Sequence, residues 1–311
     1  MAQIDLTSAP YTDHVRYLSY TVPPERDQVE VGTLLRRSLG LSAGLIKRVK
    51  WLTDGITLDG QRATTRTRAG AGQCLRIRLS DNVRSSDIPS SPGALDLLYE
   101  DEDLLVVNKA PGVAVHPGIG HWEHTLGSFL LYYYDAKGIP ADFHPVHRLD
   151  KGTSGAMVVA KHSYAQELLR QALHSNAFDR EYFAVCDGIP SPMQGTITFP
   201  LAHSGTSVIR QEIPPDGLPA HTDYEVLSHT ACRSLVRLHL KTGRTHQIRV
   251  HMAAIGCPLT GDFLYGTENP DLIRRPALHS SKLSFLHPLS EKQLTFTVPL
   301  PKDMKALLTI S

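Results

Sequence analysis

The run His144-Pro-Val-His147-Arg148-Leu149-Asp150-Lys151-Gly152-Thr153-Ser154-Gly155 sets one carboxylate between a guanidinium and a turn of small residues, just before the apolar residues 157–160. A loop carrying one reactive group into a rigid strand has this composition. An Asp in a glycine-containing turn can equally be structural, its oxygens accepting backbone N–H groups nearby. A second run, Lys241-Thr-Gly243-Arg244-Thr245-His246-Gln247-Ile248-Arg249-Val250-His251, continues into Gly256-Cys-Pro-Leu-Thr-Gly261-Asp262-Phe-Leu-Tyr265-Gly266. Its spacing predicts a helix capped by Thr245, with Arg249 one turn in, near the positive end of the dipole. Paired with Asp150, Arg249 would hold that carboxyl ionised, as a nucleophile or base requires. Phosphate binding by both arginines is the competing use.

Groups like these need a scaffold. The chain has 311 residues, 41% hydrophobic and 20% charged, enough for two modest globular domains rather than a disordered or fibrous protein. No apolar run is long enough to span a bilayer, and the first thirty residues lack the pattern of a secretory signal, so a cytoplasmic protein is expected. The four cysteines show no C-x-x-C spacing and are expected as free thiols. The net charge of +1 conceals a strong segregation: −3 over residues 1–30, +8 over 31–80 and −4 over 81–311. A block at +8 attracts a polyanion at short range, though a solvated basic helix face would look the same in composition.

Ser, Pro, Asp and Gly replace apolar periodicity between Ser80 and Gly93. The expected division is a small basic module over 1–80, a linker over 81–93 and a larger domain over 94–311. In the module, a strand over 15–22, two short helices over 33–39 and 41–51, a hairpin around 55–60 and a strand over 74–79 are predicted. Downstream, strands are predicted over 97–99, 104–107, 112–116, 180–186, 222–227 and 235–241. Helices are predicted over 124–136, from a capping box at Ser163 and Gln166, and over 245–255 closed by Gly256. Strands are many, helices few, and no βαβ rhythm occurs. The fold class expected is α+β, with a mixed, mainly antiparallel central sheet flanked by helices.

Three ordered motifs carry a family resemblance. Asp103-x-Leu-Val-Val-Asn-Lys109-x-Pro-Gly-x-x-Val-His116-Pro117, His147-Arg-Leu-Asp-x-x-Thr-Ser-Gly155 and Gly243-Arg-Thr-His-Gln-Ile-Arg249-x-His251 together resemble the RluA-type RNA pseudouridine synthases. The likeness extends over about residues 98–299, through Leu278-His279 and Phe285-x-His287-Pro288. Ala110 and the pair Ser280-Ser281 depart from the usual pattern. The basic module resembles, more loosely, the S-four-type RNA-binding module, with Val31-Gly32-Thr33 and Ser42-Ala43 replacing its usual helix openings.

The resemblance implies an isomerase that needs no cofactor, which detaches a uridine's base, turns it and rejoins it to ribose through carbon five. Asp150 matches the catalytic aspartate, acting either as nucleophile at the anomeric carbon or as base at the neighbouring carbon. Tyr182, in Arg180-Glu-Tyr182-Phe-Ala-Val185, matches the tyrosine that stacks on uracil, and Arg249 the arginine paired with the aspartate. Arg148 would occupy the gap left by the flipped base, since a guanidinium both stacks and hydrogen-bonds. His147 and Arg244 are expected to meet RNA, as are Arg36, Arg37, Lys47, Arg48 and Lys50 in the module. The partner is RNA, ribosomal by preference and transfer RNA as the alternative, with no membrane and no obligate protein partner, the chain being monomeric. No metal is expected: the histidines at 121 and 124, 144 and 147, and 246 and 251 lack an established ligand signature. A non-catalytic RNA-binding or ribosome-assembly protein, and a glycoside-cleaving enzyme using Asp262 as second acid, are the competing classes.

Overall fold

The computed structural model describes residues 15–81, 84, 86–118, 122–173, 175, 177–205, 207 and 209–309. The charge-based expectation for residues 1–14 and the histidine at 121 lie outside them.

A ten-stranded mixed sheet dominates. Its main path runs Gln194–Ile197, Thr222–His229, Arg233–Leu240, Phe178–Asp187, Leu278–Leu286, Ser154–Ala160, Leu104–Lys109, Leu97–Glu100. Every pairing along it is antiparallel except the short one between Ser154–Ala160 and Leu278–Leu286. The apolar run after Asp150 is buried on both faces, and its alternation sorts it into two layers. Met157 and Val159 join Leu105, Val107, Leu130, Leu131 and Met252 on one side. Ala156, Val158 and Ala160 join Leu104, Val106, Leu169 and Phe285 on the other. The helices Leu126–Lys137 and Gln247–Ala254 cover the first face, and Ser163–Ala172 the second. The α+β class with a mainly antiparallel sheet is therefore observed.

Residues 17–79 form a four-stranded sheet of their own, Tyr17–Thr21, Cys74–Arg78, Ile56–Leu58 and Gln61–Arg62 in spatial order. Leu34, Leu35, Leu45, Ile46 and Val49 are buried in the core beside it. The second helix runs over Ala43–Val49, its Ser42 hydroxyl accepting the Leu45 N–H at 3.3 Å.

The two parts are fastened together. Tyr164 inserts into the module's core and donates to the Leu39 carbonyl at 2.9 Å. Arg16 donates to both oxygens of Asp103, at 2.8 and 3.1 Å, and pairs with Glu102 at 2.9 Å. Within the segment expected as a linker, Asp81 is buried against Arg48 at 3.0 Å and His144 at 2.7 Å, and Ile88 packs on the main core.

Three local expectations need correction. Residues 112–116 make a turn and loop rather than a strand, because Gly112 sits at φ +84° and its N–H goes to the Lys151 carbonyl, 2.8 Å away. The helix Ser163–Ala172 is capped by His162, whose Nδ1 accepts the Ala165 N–H at 3.1 Å. The helix Gln247–Ala254 begins two residues later than expected, after His246 in a left-handed conformation, so Thr245 does not cap it. No helix among the described residues is long and apolar enough to cross a membrane.

Candidate active site

Asp150 closes the loop entering Ser154–Ala160, and three successive carbonyls of that loop are occupied. The Asp150 carbonyl accepts from Thr153 N at 3.0 Å and the Lys151 carbonyl from Gly112 N at 2.8 Å. The Gly152 carbonyl accepts from Arg275 Nη1 at 3.2 Å. Arg275 is anchored in turn by Asp303, at 2.8 and 3.0 Å. Lys109, 2% exposed, spans the two loops, its Nζ donating to the carbonyls of Ala110, Val113 and Lys151 at 2.9, 2.8 and 3.3 Å. Burial brings its ammonium down to about 7, against the pull of the Asp150 charge. Just beyond, Gly155 at φ +110° would place a Cβ 2.2 Å from the Ser280 carbonyl oxygen, so only glycine lets the two parallel strands meet there.

With its backbone tied down, the Asp150 carboxylate still keeps 22% of its side chain exposed and so can meet a ligand. Arg249 Nη1 lies 3.5 Å from its Oδ2 and His246 Nε2 lies 3.9 Å from the same oxygen. Arg249 and Asp150 thus come together as the motifs implied, but Asp150 is not the arginine's main partner. Asp262, fully buried, grips Nε and Nη2 at 2.7 Å each and also accepts the N–H groups of Leu264 and Tyr265. Burial opposes the guanidinium's charge most, yet Asp262, with a smaller contribution from Asp150, raises its pKa. Phe263 and Tyr265 face it at 5.6 and 5.2 Å from their ring centres. Asp262, weighed from sequence only as a second acid, is committed to this pair.

Tyr182 is 4% exposed, midway along Phe178–Asp187. The pairing with Leu278–Leu286 slips between Glu181 and Tyr182, so that Tyr182 lies opposite Ser280 and Ser281 is passed over. Such a bulge re-aims a side chain. Burial raises the Tyr182 pKa, with Arg180 opposing and Asp150 adding, so the phenol stays protonated at neutral pH.

The remaining expected contacts divide. Arg148 is exposed and has no hydrogen bond or ion pair among the described residues. Its charge helps depress the pKa of His116 and His246. Arg244 is exposed, its Nε donating to the Pro219 carbonyl at 3.2 Å. His147 instead turns its ring inward, Nε2 accepting the Val158 N–H at 3.4 Å and the ring meeting Phe178 edge-on at 6.0 Å. Burial of the ring brings it down to about 3, and its Nδ1 is sealed from solvent, so the ring buttresses the strand. In the module, Arg36, Arg37 and Lys47 are exposed and Lys50 stands over the exposed Trp51 ring at 4.9 Å. Arg48 is spent on Asp81 and the Ser163 hydroxyl, holding the module to the large domain. The other histidines have separate partners, His144 on Asp81 and His251 between Thr222 and the Phe199 carbonyl.

Comparison with known proteins identifies the family. Residues 103–254, which hold Lys109, Asp150, Tyr182 and Arg249, match the family described as RNA pseudouridylate synthase. The chain is 38% identical to the uncharacterised RNA pseudouridine synthase YjbO of Bacillus subtilis, over 87% of this chain and 95% of that one. It is 41% identical to the ribosomal large subunit pseudouridine synthase D of Zymomonas mobilis, over 71% and 72% of the two chains. Of solved structures, human RNA pseudouridylate synthase domain containing 1 aligns with a TM-score of 0.54 at 29% identity, over 67% of this chain and 86% of that one. The family match and these relatives define an RNA-modifying isomerase. The chain belongs to the RluA-type family of RNA pseudouridine synthases.

Proposed function

We propose that this synthase isomerises uridines in structured ribosomal RNA, with Asp150 as the group that acts on the ribose. One observation carries the reading: a reachable carboxylate lies on an immobilised loop beside an arginine whose far edge is locked by a buried partner. Electrostatic preorganisation of this kind spares reorganisation when charge moves. As nucleophile, Asp150 would bond to the anomeric carbon while uracil leaves with the glycosidic electron pair. Carbon five of the turned base would then displace it and lose its proton. As base, Asp150 would instead take the proton of the neighbouring ribose carbon, the C–H electrons forming a ribose double bond as uracil leaves with the glycosidic pair. Carbon five of the turned base would then add to the anomeric carbon, Asp150 would return its proton to the neighbouring carbon, and carbon five would lose its own proton. Tyr182, kept neutral by burial, would pack against the uracil.

Extruding the base from a helix costs roughly a few kcal/mol. Arg148, exposed and unpartnered among the described residues, suits the vacated stack. The module would add phosphate contacts through Arg36, Arg37, Lys47 and Lys50, in the manner of an S-four-type domain. The ribosomal preference is supported by the names of relatives, including the large subunit synthase D of Vibrio parahaemolyticus, 39% identical over 83% of each chain.

Tritium release from transcripts carrying uridine labelled at carbon five reports the reaction directly. Asp150→Asn is expected to release none while binding RNA within a few fold of the wild type, since the change removes charge and little shape. Undiminished release would overturn the role of Asp150. Mapping modified uridines in cells with and without the protein decides between ribosomal and transfer RNA.

A further inference from the structure

His246 has no role in the scheme above, yet its placement is unusual. It stands at φ 55° and ψ 16°, in the left-handed region that few residues other than Gly, Asn, Asp and His adopt, directly before the helix bearing Arg249. The surroundings here are a hydrogen-bonded chain. The backbone N–H of Gln211 donates to the Tyr265 hydroxyl at 2.7 Å, and that hydroxyl lies 3.0 Å from His246 Nδ1. On the far side of the ring, Nε2 faces Asp150 Oδ2 at 3.9 Å.

The proton count gives the chain a direction. Tyr265 accepts from Gln211, so its own O–H is available to donate, and His246 Nδ1 is the acceptor within reach. Burial, the largest influence, keeps the imidazole pKa below its ordinary value, with Arg249 and Arg148 lowering it further and Asp150 and Asp262 opposing. A neutral ring with an unprotonated Nδ1 carries its one proton on Nε2, the nitrogen turned toward Asp150.

Gln211 begins the strand Gln211–Glu212, which pairs with Ala202–His203 in a hairpin apart from the main sheet. Tyr265 packs against the base of that hairpin at Leu201 and Ala220, and Val250 completes the contact. Arg210, just before Gln211, lies over the Tyr265 ring, 5.5 Å from its centre.

We propose that His246 is a positioning residue for the reaction, held by Tyr265 as the Nε2–H tautomer so that it presents an N–H to the Asp150 carboxylate, with the strand Gln211–Glu212 seating Tyr265. This rests on the assignment of Asp150 as the reacting group. The separation in the free protein is longer than a hydrogen bond, and such contacts commonly tighten when substrate binds.

The test uses the full chain and a uridine-containing transcript. Tyr265→Phe should lower kcat about tenfold, the order of one hydrogen bond, with KM changed by less than about twofold. His246→Gln, whose amide nitrogen reaches the place of ring Nε2, should retain more turnover than His246→Asn, which reaches only Nδ1. Nitrogen-15 NMR of ring-labelled histidine, with the His246 signal assigned from its loss in His246→Gln, should show the Nε2–H form in the wild type and a tautomer mixture in Tyr265→Phe. Wild-type kcat in Tyr265→Phe, or an Nδ1–H ring in the wild type, would overturn the proposal. An active Asp150→Asn would remove the underlying assignment alone, because the tautomer signal does not depend on which group reacts.

Discussion

Asp262 holds Arg249 through two nitrogens at 2.7 Å each and leaves the third, Nη1, directed at Asp150 3.5 Å away. The catalytic pair implied by the motifs is thus a triad of charges with unequal bonds. The strong contact fixes the guanidinium, and the weak one leaves the half-buried carboxylate with an edge open to a ligand.

Asp262→Asn should therefore remove both stability and turnover. Breaking a buried ion pair at one partner leaves the other charge uncompensated, at a cost of about 3–5 kcal/mol. Urea unfolding measures the loss and tritium release the turnover. A variant within about 1 kcal/mol of the wild type would show that Arg249 does not need this partner.

The basic residues of the module should separate by experiment. Replacing Arg36 and Arg37 together by Ala is expected to reduce the slope of log affinity against log salt by about two units, without altering which uridine is modified. Arg48→Ala should instead loosen the module, because Arg48 bonds Asp81 and Ser163. Faster proteolysis between residues 81 and 93 would register that change. Equal effects of the two variants on the salt slope would contradict the division.

Acid should weaken the fold through two histidines, buried His279 and half-buried His147. Burial lowers His147 to about 3 and His279 to about 4. In the unfolded chain each takes up its proton near pH 6.5. Stability contributed by the neutral rings is full above that value and is lost as pH falls from about 6.5 toward 4, at about 1.4 kcal/mol per pH unit for each group. Urea unfolding across this range should show a shallower slope in His279→Asn than in the wild type. An unchanged slope would mean that His279 titrates normally.

How much of this was legible beforehand depends on the reach of each interaction. The strand expected over 180–186 and the apolar run after Asp150 follow from the pattern of neighbouring residues, which a sequence displays. Motif order likewise singled out Asp150, Tyr182 and Arg249. Other features depend on partners distant in the chain. His147 could have faced RNA, but the fold supplies the Val158 N–H and Phe178 to its ring. Arg48 reads from sequence as a phosphate contact, and only the fold adds Asp81 and Ser163 as its partners. The sequence alone determined which residues could do the chemistry and that a mixed sheet would carry them. Only the tertiary structure decided that Asp262 anchors Arg249, that Lys109 clamps the Asp150 loop and that His246 opens its helix in a left-handed turn. Each of those choices is made by hydrogen-bonding groups from separate loops meeting where water is excluded, and residue spacing does not encode such a meeting.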